Sequence, residues 1–312
     1  MVKFKSLFER GGLSLDRLRS FALIADAGGL SLAAGGDPTR MSLFSKQVKE
    51  LEGFFGVALT RRQGRKVNLT EAGQQLARLA HAHLSGLEDF QQACKGVPQT
   101  LSLGSANSLI EWLVMPQVAN LRQSLPNTLF EFYDGRTQEL VRQVTDMSLD
   151  LALVREDAVV RPLKFKRLLL LTYSLFVPRR LAASIREDKL KAAMGGLPLA
   201  TSIGGQYREQ LTTAAAKAGW PLRIELSCSS FTQAARAVKT GAFGAALPNL
   251  AAVAFAPGEV VQFPLPFLKS YARPICVAWN PRLADVRPVV EQAIGVVREA
   301  LAGESRSGKR EA

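Results

Sequence analysis

Four side chains in one short stretch share a chemistry. Ser42, Ser45, Lys46 and Lys49 stand three, one and three residues apart, so at 100° per residue they fall on one side of a helix. All four donate hydrogen bonds, two are cationic, and Glu50 and Glu52 lie just off the face they form. The opposite side carries Phe44, Val48, Leu51 and Phe55, an apolar stripe at helical spacing. A few residues on, Arg61, Arg62, Arg65 and Lys66 make the densest cationic run of the chain. No nucleophile–base pair stands among these groups. What they can do is engage an array of acceptors, and the base edges and phosphates of a nucleic-acid duplex present one in a groove wide enough for a helix. A charge run alone is as often a solvated face. Its place beside the amphipathic helix favours binding.

The elements around that surface are short and helical. Leu18, Phe21, Ala22 and Ala25 give a first stripe that breaks at Gly28-Gly29, and a second helix begins at Ser31 and stops at Gly35-Gly36-Asp37-Pro38. Thr39 or Ser42 is the expected cap of the third helix, and Gly56 its end. Val57 to Leu69 alternates weakly around Gln63-Gly64, as a hairpin does. This is a helix-turn-helix with a basic wing. Thr70 then caps a long helix to about Cys94, in which Leu76, Ala80, His83, Leu87, Phe90 and Cys94 recur four, three, four, three and four apart. That is a coiled-coil seam, and a helix lying between two domains suggests that a second copy covers it.

From Gln99 the pattern alternates strand and helix, which implies an α/β sheet. Strands are expected at 101–104, 128–133, 150–154, 168–177, near 199, and at 222–228, 243–247 and 272–279. Helices are expected at about 108–124, 137–145, 206–218, 231–240 and 283–301. The polar tail 303–312 is expected to be disordered.

Composition narrows the function classes. Lys and Arg number 40 against 27 Asp and Glu, a formal charge of +13 that points to a polyanionic partner. No apolar stretch is long enough to span a membrane. The start, with Lys3, Lys5 and Arg10 but no apolar run, is unlike a signal peptide, so a cytoplasmic location is expected. Cys94, Cys228 and Cys276 match neither a disulfide framework nor a metal site and are expected to be buried thiols. The two histidines, His81 and His83, have no nucleophile or metal-ligand partner nearby. No catalytic residue, metal site or cofactor is expected, and an enzyme is not.

The order of these pieces resembles the LysR-type transcriptional regulators over nearly the whole chain. The carrying residues are Ala33-Ala34, Ser45-Lys-Gln-Val-Lys-Glu-Leu-Glu52, Phe55-Gly-Val-Ala-Leu59 and Leu69-Thr-Glu-Ala-Gly73. Leu149-Asp-Leu-Ala-Leu-Val154 and Gly241-Ala-Phe-Gly-Ala-Ala-Leu-Pro248 follow downstream. The resemblance departs where the family opens its recognition helix with Ser-Gln-Pro, for which this chain has Arg40-Met41-Ser42. An apolar Met41 there could touch a thymine methyl, while Arg40 could read guanine or hold a phosphate. Asp37 replaces the usual Leu of the turn, and Gly35-Gly36 stand in the helix before it.

The resemblance implies a winged helix-turn-helix at 13–70 after an extension at 1–12, a dimerisation helix at 71–96, and a periplasmic-binding-protein-like effector domain of two α/β lobes at 97–302. The chain would cross between lobes near Val160 and return near Ser270, so that 97–160 and 270–302 form one lobe and 161–269 the other. A cleft at the strand ends would be lined by Ser105, Asn107, Ser108, Ser202, Ser230 and Phe231, with Arg136 as counter-charge to a small carboxylate. The implied partners are double-stranded DNA read as an interrupted palindrome, an anionic effector, further copies in a homodimer or homotetramer, and RNA polymerase; a membrane is not among them. Two rival classes are a cytoplasmic small-molecule-binding protein and an α/β enzyme with a helical accessory module. No Gly-rich phosphate loop or nucleophile elbow supports the enzyme.

Overall fold

The computed structural model describes residues 4–9, 11–63, 66–183, 185–202 and 206–302. Arg65 and the tail from Gly303 lie outside them, and of Lys66 only the backbone is described. After a single turn at Lys5–Phe8, three helices follow: α1 (Leu15–Asp26), α2 (Leu30–Ala34) and α3 (Pro38–Phe55). They enclose a small core of Phe21, Ile24, Ala34, Phe44, Val48 and Leu51. The hairpin β1 (Thr60–Gln63) and β2 (Lys66–Leu69) comes next, then the long helix α4 (Glu71–Lys95), capped by the Thr70 hydroxyl. Leu76 and Ala77 of α4 complete that core.

The α3 cap differs from the sequence expectation. Asp37, not Thr39 or Ser42, is the N-cap, and its carboxylate accepts from the backbone N–H of Thr39 (2.8 Å) and Arg40 (3.4 Å). Pro38 therefore opens α3 rather than merely stopping α2: its fixed φ suits the first helical position, where no N–H is needed. Phe55 also departs from the stripe. It is 38% exposed, because the helix reaches its Gly56 end beyond the edge of the core.

The remainder is two five-stranded sheets. One has the order β4–β3–β5–β12–β6, with β3 (Gln99–Ser105) parallel to β4 (Thr128–Asp134) and β5 (Leu151–Arg155), and β12 (Arg273–Trp279) antiparallel to β5 and β6 (Lys164–Leu171). The other has the order β11–β7–β10–β8–β9, formed by β7 (Tyr173–Pro178), β8 (Pro198–Ser202), β9 (Arg223–Cys228), β10 (Gly244–Pro248) and β11 (Val260–Pro264). The apolar run at 168–177 is thus two strands in two sheets, divided at Thr172. The crossing lies there and not near Val160, because Lys164–Leu171 pairs along the full length of β12. The strand β11 has no counterpart in the sequence reading.

Helices α5 (Val118–Ser124), α6 (Thr137–Thr145), α7 (Tyr207–Lys217) and α8 (Phe231–Lys239) link the strands. The expected helix at 108–124 is broken into a turn at Asn107–Leu109, a wide turn at Ile110–Val114 and a tight turn at Met115–Gln117 before α5, with Pro116 in the break. The last expected helix is also two, α9 (Pro281–Val286) and α10 (Pro288–Ala302), since Pro288 cannot continue the first. Leu101, Leu103, Leu113, Leu151, Leu153, Val277, Val290 and Val297 form the core of the first lobe.

Among the described residues, no helix is long and apolar enough to cross a membrane.

Candidate nucleic-acid interface and effector cleft

On α3, Ser42, Lys46 and Lys49 are exposed and Ser45 is half-buried; together with Glu50 they line a shallow open depression. The two nearby acids are spoken for. Glu50 is paired with Arg17 of α1. Glu52 turns to the wing, where its Oε1 accepts from Leu59 N–H (2.9 Å), Thr60 N–H (3.0 Å) and the Thr60 hydroxyl (3.1 Å). The face is therefore cationic because its acids are used inside the domain. The Asp37 cap has a parallel effect, leaving the Ser42 hydroxyl free of a capping role.

Met41 is exposed, at 41%, on the flank of this face. Arg40 sits four residues before Phe44 and lies over its ring, 5.8 Å from the centroid, so it follows the core stripe rather than the polar face. Arg61 and Arg62 are exposed on β1. The wing that carries them is fixed to α4 at one close approach. A Cβ at Gly73 would meet the Leu59 carbonyl oxygen at 2.1 Å, so only glycine fits. The Thr70 hydroxyl secures the same corner, donating to Ala58 O (2.8 Å) and accepting from Gly73 N–H (3.0 Å).

The seam of α4 divides in two. Leu76 packs in the core of the DNA-binding domain and Ala80 is buried, whereas His83, Leu87 (51%), Phe90 (69%) and Cys94 are exposed. Cys94 is thus not a buried thiol, although Cys228 and Cys276 are. A different face of α4, with Ala82, Gly86 and Asp89, lies against the effector domain. Ala82 packs on Met147 and Leu283, and a Cβ at Gly86 would sit 3.0 Å from Val286 O. Beside them the buried Arg287 grips Asp89 with two hydrogen bonds (2.7 and 3.0 Å), pairs with Asp150, and donates to Thr100 O (2.6 Å). Burial alone lowers the pKa of this guanidinium, but the Asp89 hydrogen bond and the charges of Asp150 and Asp89 outweigh it, and the net shift is upward.

Between the lobes runs an open groove of about 890 Å³. Asn107, Glu111, Trp112 and Asp134 line it from the first lobe, and Ser229, Ser230, Thr232, Arg236 and Lys239 from the second. The Thr232 hydroxyl donates across it to Asn107 Oδ1 at 2.9 Å. Of the seven residues expected at the cleft, Asn107 and Ser230 line this groove and five do not. Ser105 is fully buried and its hydroxyl donates to Leu153 O (3.2 Å). Ser202 is buried at the end of β8, and Ser108 is half-buried in the turn after β3. Arg136 is exposed at the start of α6, so the cations on the groove are Arg236 and Lys239 instead. They stand three residues apart on α8, a spacing visible in the sequence but unweighted without its neighbours.

Phe231 belongs to an aromatic cluster at the lobe junction that the sequence reading missed. It meets Tyr207 edge-on at 4.6 Å and Tyr173 at 6.2 Å, and Tyr173 lies 5.5 Å from Tyr271. Arg273 covers the Tyr271 ring at 4.2 Å. Tyr207 also donates to Ala246 O (2.7 Å), and burial pushes its phenol pKa, like that of Tyr173, well above the ordinary value. Ser105 and Ser202, at the ends of their strands, are both buried.

Two family models match. "Bacterial regulatory helix-turn-helix protein, lysR family" covers residues 15–74, and "LysR substrate binding domain" covers 95–302. The transcriptional regulator DgdR of Burkholderia cepacia is 30% identical over 46% of this chain and 49% of its own; the chain spans about half the length of such curated relatives in these alignments. Two solved structures share the fold. Full-length LysG of Corynebacterium glutamicum with bound effector Arg has a TM-score of 0.58 at 20% identity, covering 91% of this chain and 99% of that one. Full-length CbnR complexed with its target DNA has a TM-score of 0.53 at 17% identity, covering 92% and 100%. The relatives named are regulators and not enzymes. With both of its domains matched in order over most of its length, the chain belongs to the LysR family.

Proposed function

We propose that this protein is a DNA-binding transcriptional regulator whose α3 enters the major groove. The observation that carries the reading is the cationic face of α3, where the one bordering acid, Glu50, is held by Arg17 and Glu52 is turned to the wing. Ser42, Ser45, Lys46 and Lys49 meet base edges and phosphates, Met41 offers an apolar contact at the flank, and Arg61, Arg62, Arg65 and Lys66 hold the adjacent backbone. CbnR, of the same fold, is complexed with its target DNA. The exposed end of the α4 seam, Leu87 and Phe90 above all, is covered by a second copy, so two α3 helices address successive grooves of an interrupted palindrome. Further pairing through the effector domains makes a tetramer, and RNA polymerase is the partner on the promoter.

The inter-lobe groove takes a small anionic effector, with Arg236 and Lys239 as its counter-charges. LysG, again of the same fold, has Arg as its bound effector. A ligand seated there competes for the Thr232–Asn107 bond and so changes how the lobes meet. Footprinting of the DNA upstream of this gene by the purified oligomer tests the reading. Two protected half-sites about one or two helical turns apart are expected; absence of any protected site at low salt would overturn it.

A further inference from the structure

Leu43 is 51% exposed in the second turn of α3, whereas Phe44, Val48 and Leu51 of the same helix are buried. Among the described residues it lies outside the apolar core that those three enter. A lone exposed leucine is ordinary on a protein surface, so its surroundings decide what it can do. Lys46 and Glu50 follow it three and seven residues on, in one row along the helix. Both border the open depression with Ser42, Ser45 and Lys49, and Glu50 is held by Arg17. Leu43 therefore extends that row towards the start of α3, the end whose side chains reach base edges in a helix-turn-helix. Met41, two residues earlier, stands about 160° away around the helix and flanks the polar face on its other side.

We propose, resting on the reading in which α3 enters the major groove, that Leu43 determines specificity by meeting the C5 methyl group of a thymine. In that groove thymine presents a methyl beside an acceptor, whereas cytosine presents a donor amine and no methyl. A leucine side chain neither donates nor accepts, so it gains nothing from the polar atoms of a base edge. The methyl is the apolar group it can bury against. Lys46, the next residue of the row, meets an adjacent acceptor, a guanine edge or a phosphate, and fixes the register in which Leu43 arrives. Alanine at position 43 is too short to keep the methyl contact but is as good a helix former, so the two roles of the leucine can be separated.

Replacing a thymine by deoxyuridine removes that methyl and leaves every hydrogen-bonding group in place. Each thymine of one half-site in the protected DNA is replaced in turn, and binding of the full chain is measured at a single salt concentration for wild type, Leu43→Ala and Met41→Ala. At one position, deoxyuridine is expected to weaken wild-type binding about fourfold, the worth of one buried methyl. Leu43→Ala should bind the thymine site more weakly by at least that factor and show no further loss at that position, while Met41→Ala keeps the loss there. Leu43→Ala and wild type should bind an unrelated duplex equally. The proposal is overturned by a wild type indifferent to every deoxyuridine, or by a loss that persists in Leu43→Ala or that Met41→Ala also abolishes. Equal weakening of Leu43→Ala on both duplexes overturns it too. A footprint without methyl dependence sinks this proposal alone, whereas no footprint at all removes the regulator reading beneath it.

Discussion

Single residues decide what each surface can do. Cys94 is exposed while Cys228 and Cys276 are buried, and burial pushes the Cys228 thiol up and the Cys276 thiol up to about 12. A thiol whose pKa rises on folding stays protonated where the unfolded chain would already ionise, so its stabilising effect holds below the ordinary thiol pKa and fades as pH climbs towards 12. At pH 8 we therefore expect a thiol-reactive dye to label one cysteine of the native protein, and all three only after unfolding. Labelling of Cys276 in the folded protein would contradict the burial. Asp37 is as specific in its role. Asp37→Ala should cost the start of α3 about 0.5–2 kcal/mol, seen as faster amide exchange over residues 38–42, and Asp37→Asn should retain most of the protection.

At the scale of elements, the readable features were the local ones. The Phe44–Val48–Leu51 part of the α3 stripe, the Gly56 end, the Thr70 cap and the hairpin strands each follow from residues within a turn or two, and the structure has them. Three misreadings had one cause. The lobe crossing at Thr172, the division of the α4 seam and the burial of Ser105 depend on neighbours distant in sequence. So does the lock on α4: Arg287 and Asp89 are 198 residues apart, and neither position carries a local signal. Removing one partner of a buried ion pair leaves the other charged without compensation. Arg287→Ala is accordingly expected to lower the stability of the effector domain by about 3–5 kcal/mol, measured by urea unfolding of the full chain. A loss under about 1 kcal/mol, the range of exposed pairs, would mean that the lock contributes no more than a surface contact.

Across the whole molecule, two adjoining faces of α4, about 100° apart around the helix, have different surroundings. The Ala82–Gly86–Asp89 face is fixed to the effector lobe, and the Leu87–Phe90 face is exposed, where we propose that a second copy packs. In the dimer proposed above, a movement of the lobes would reach the axis through α4, which runs unbroken from Glu71 to Lys95. The charge excess of +13 acts at this scale as well, favouring approach to a polyanion. The most direct test is the salt dependence of binding to the upstream DNA and to an unrelated duplex, for wild type, Lys46→Ala and Arg62→Ala. Lys46→Ala should weaken the specific site by about 1–3 kcal/mol, and Arg62→Ala should weaken both duplexes and flatten the logarithmic salt slope by about one unit. Unchanged affinity and slope in both variants would show that α3 and its wing do not face the DNA.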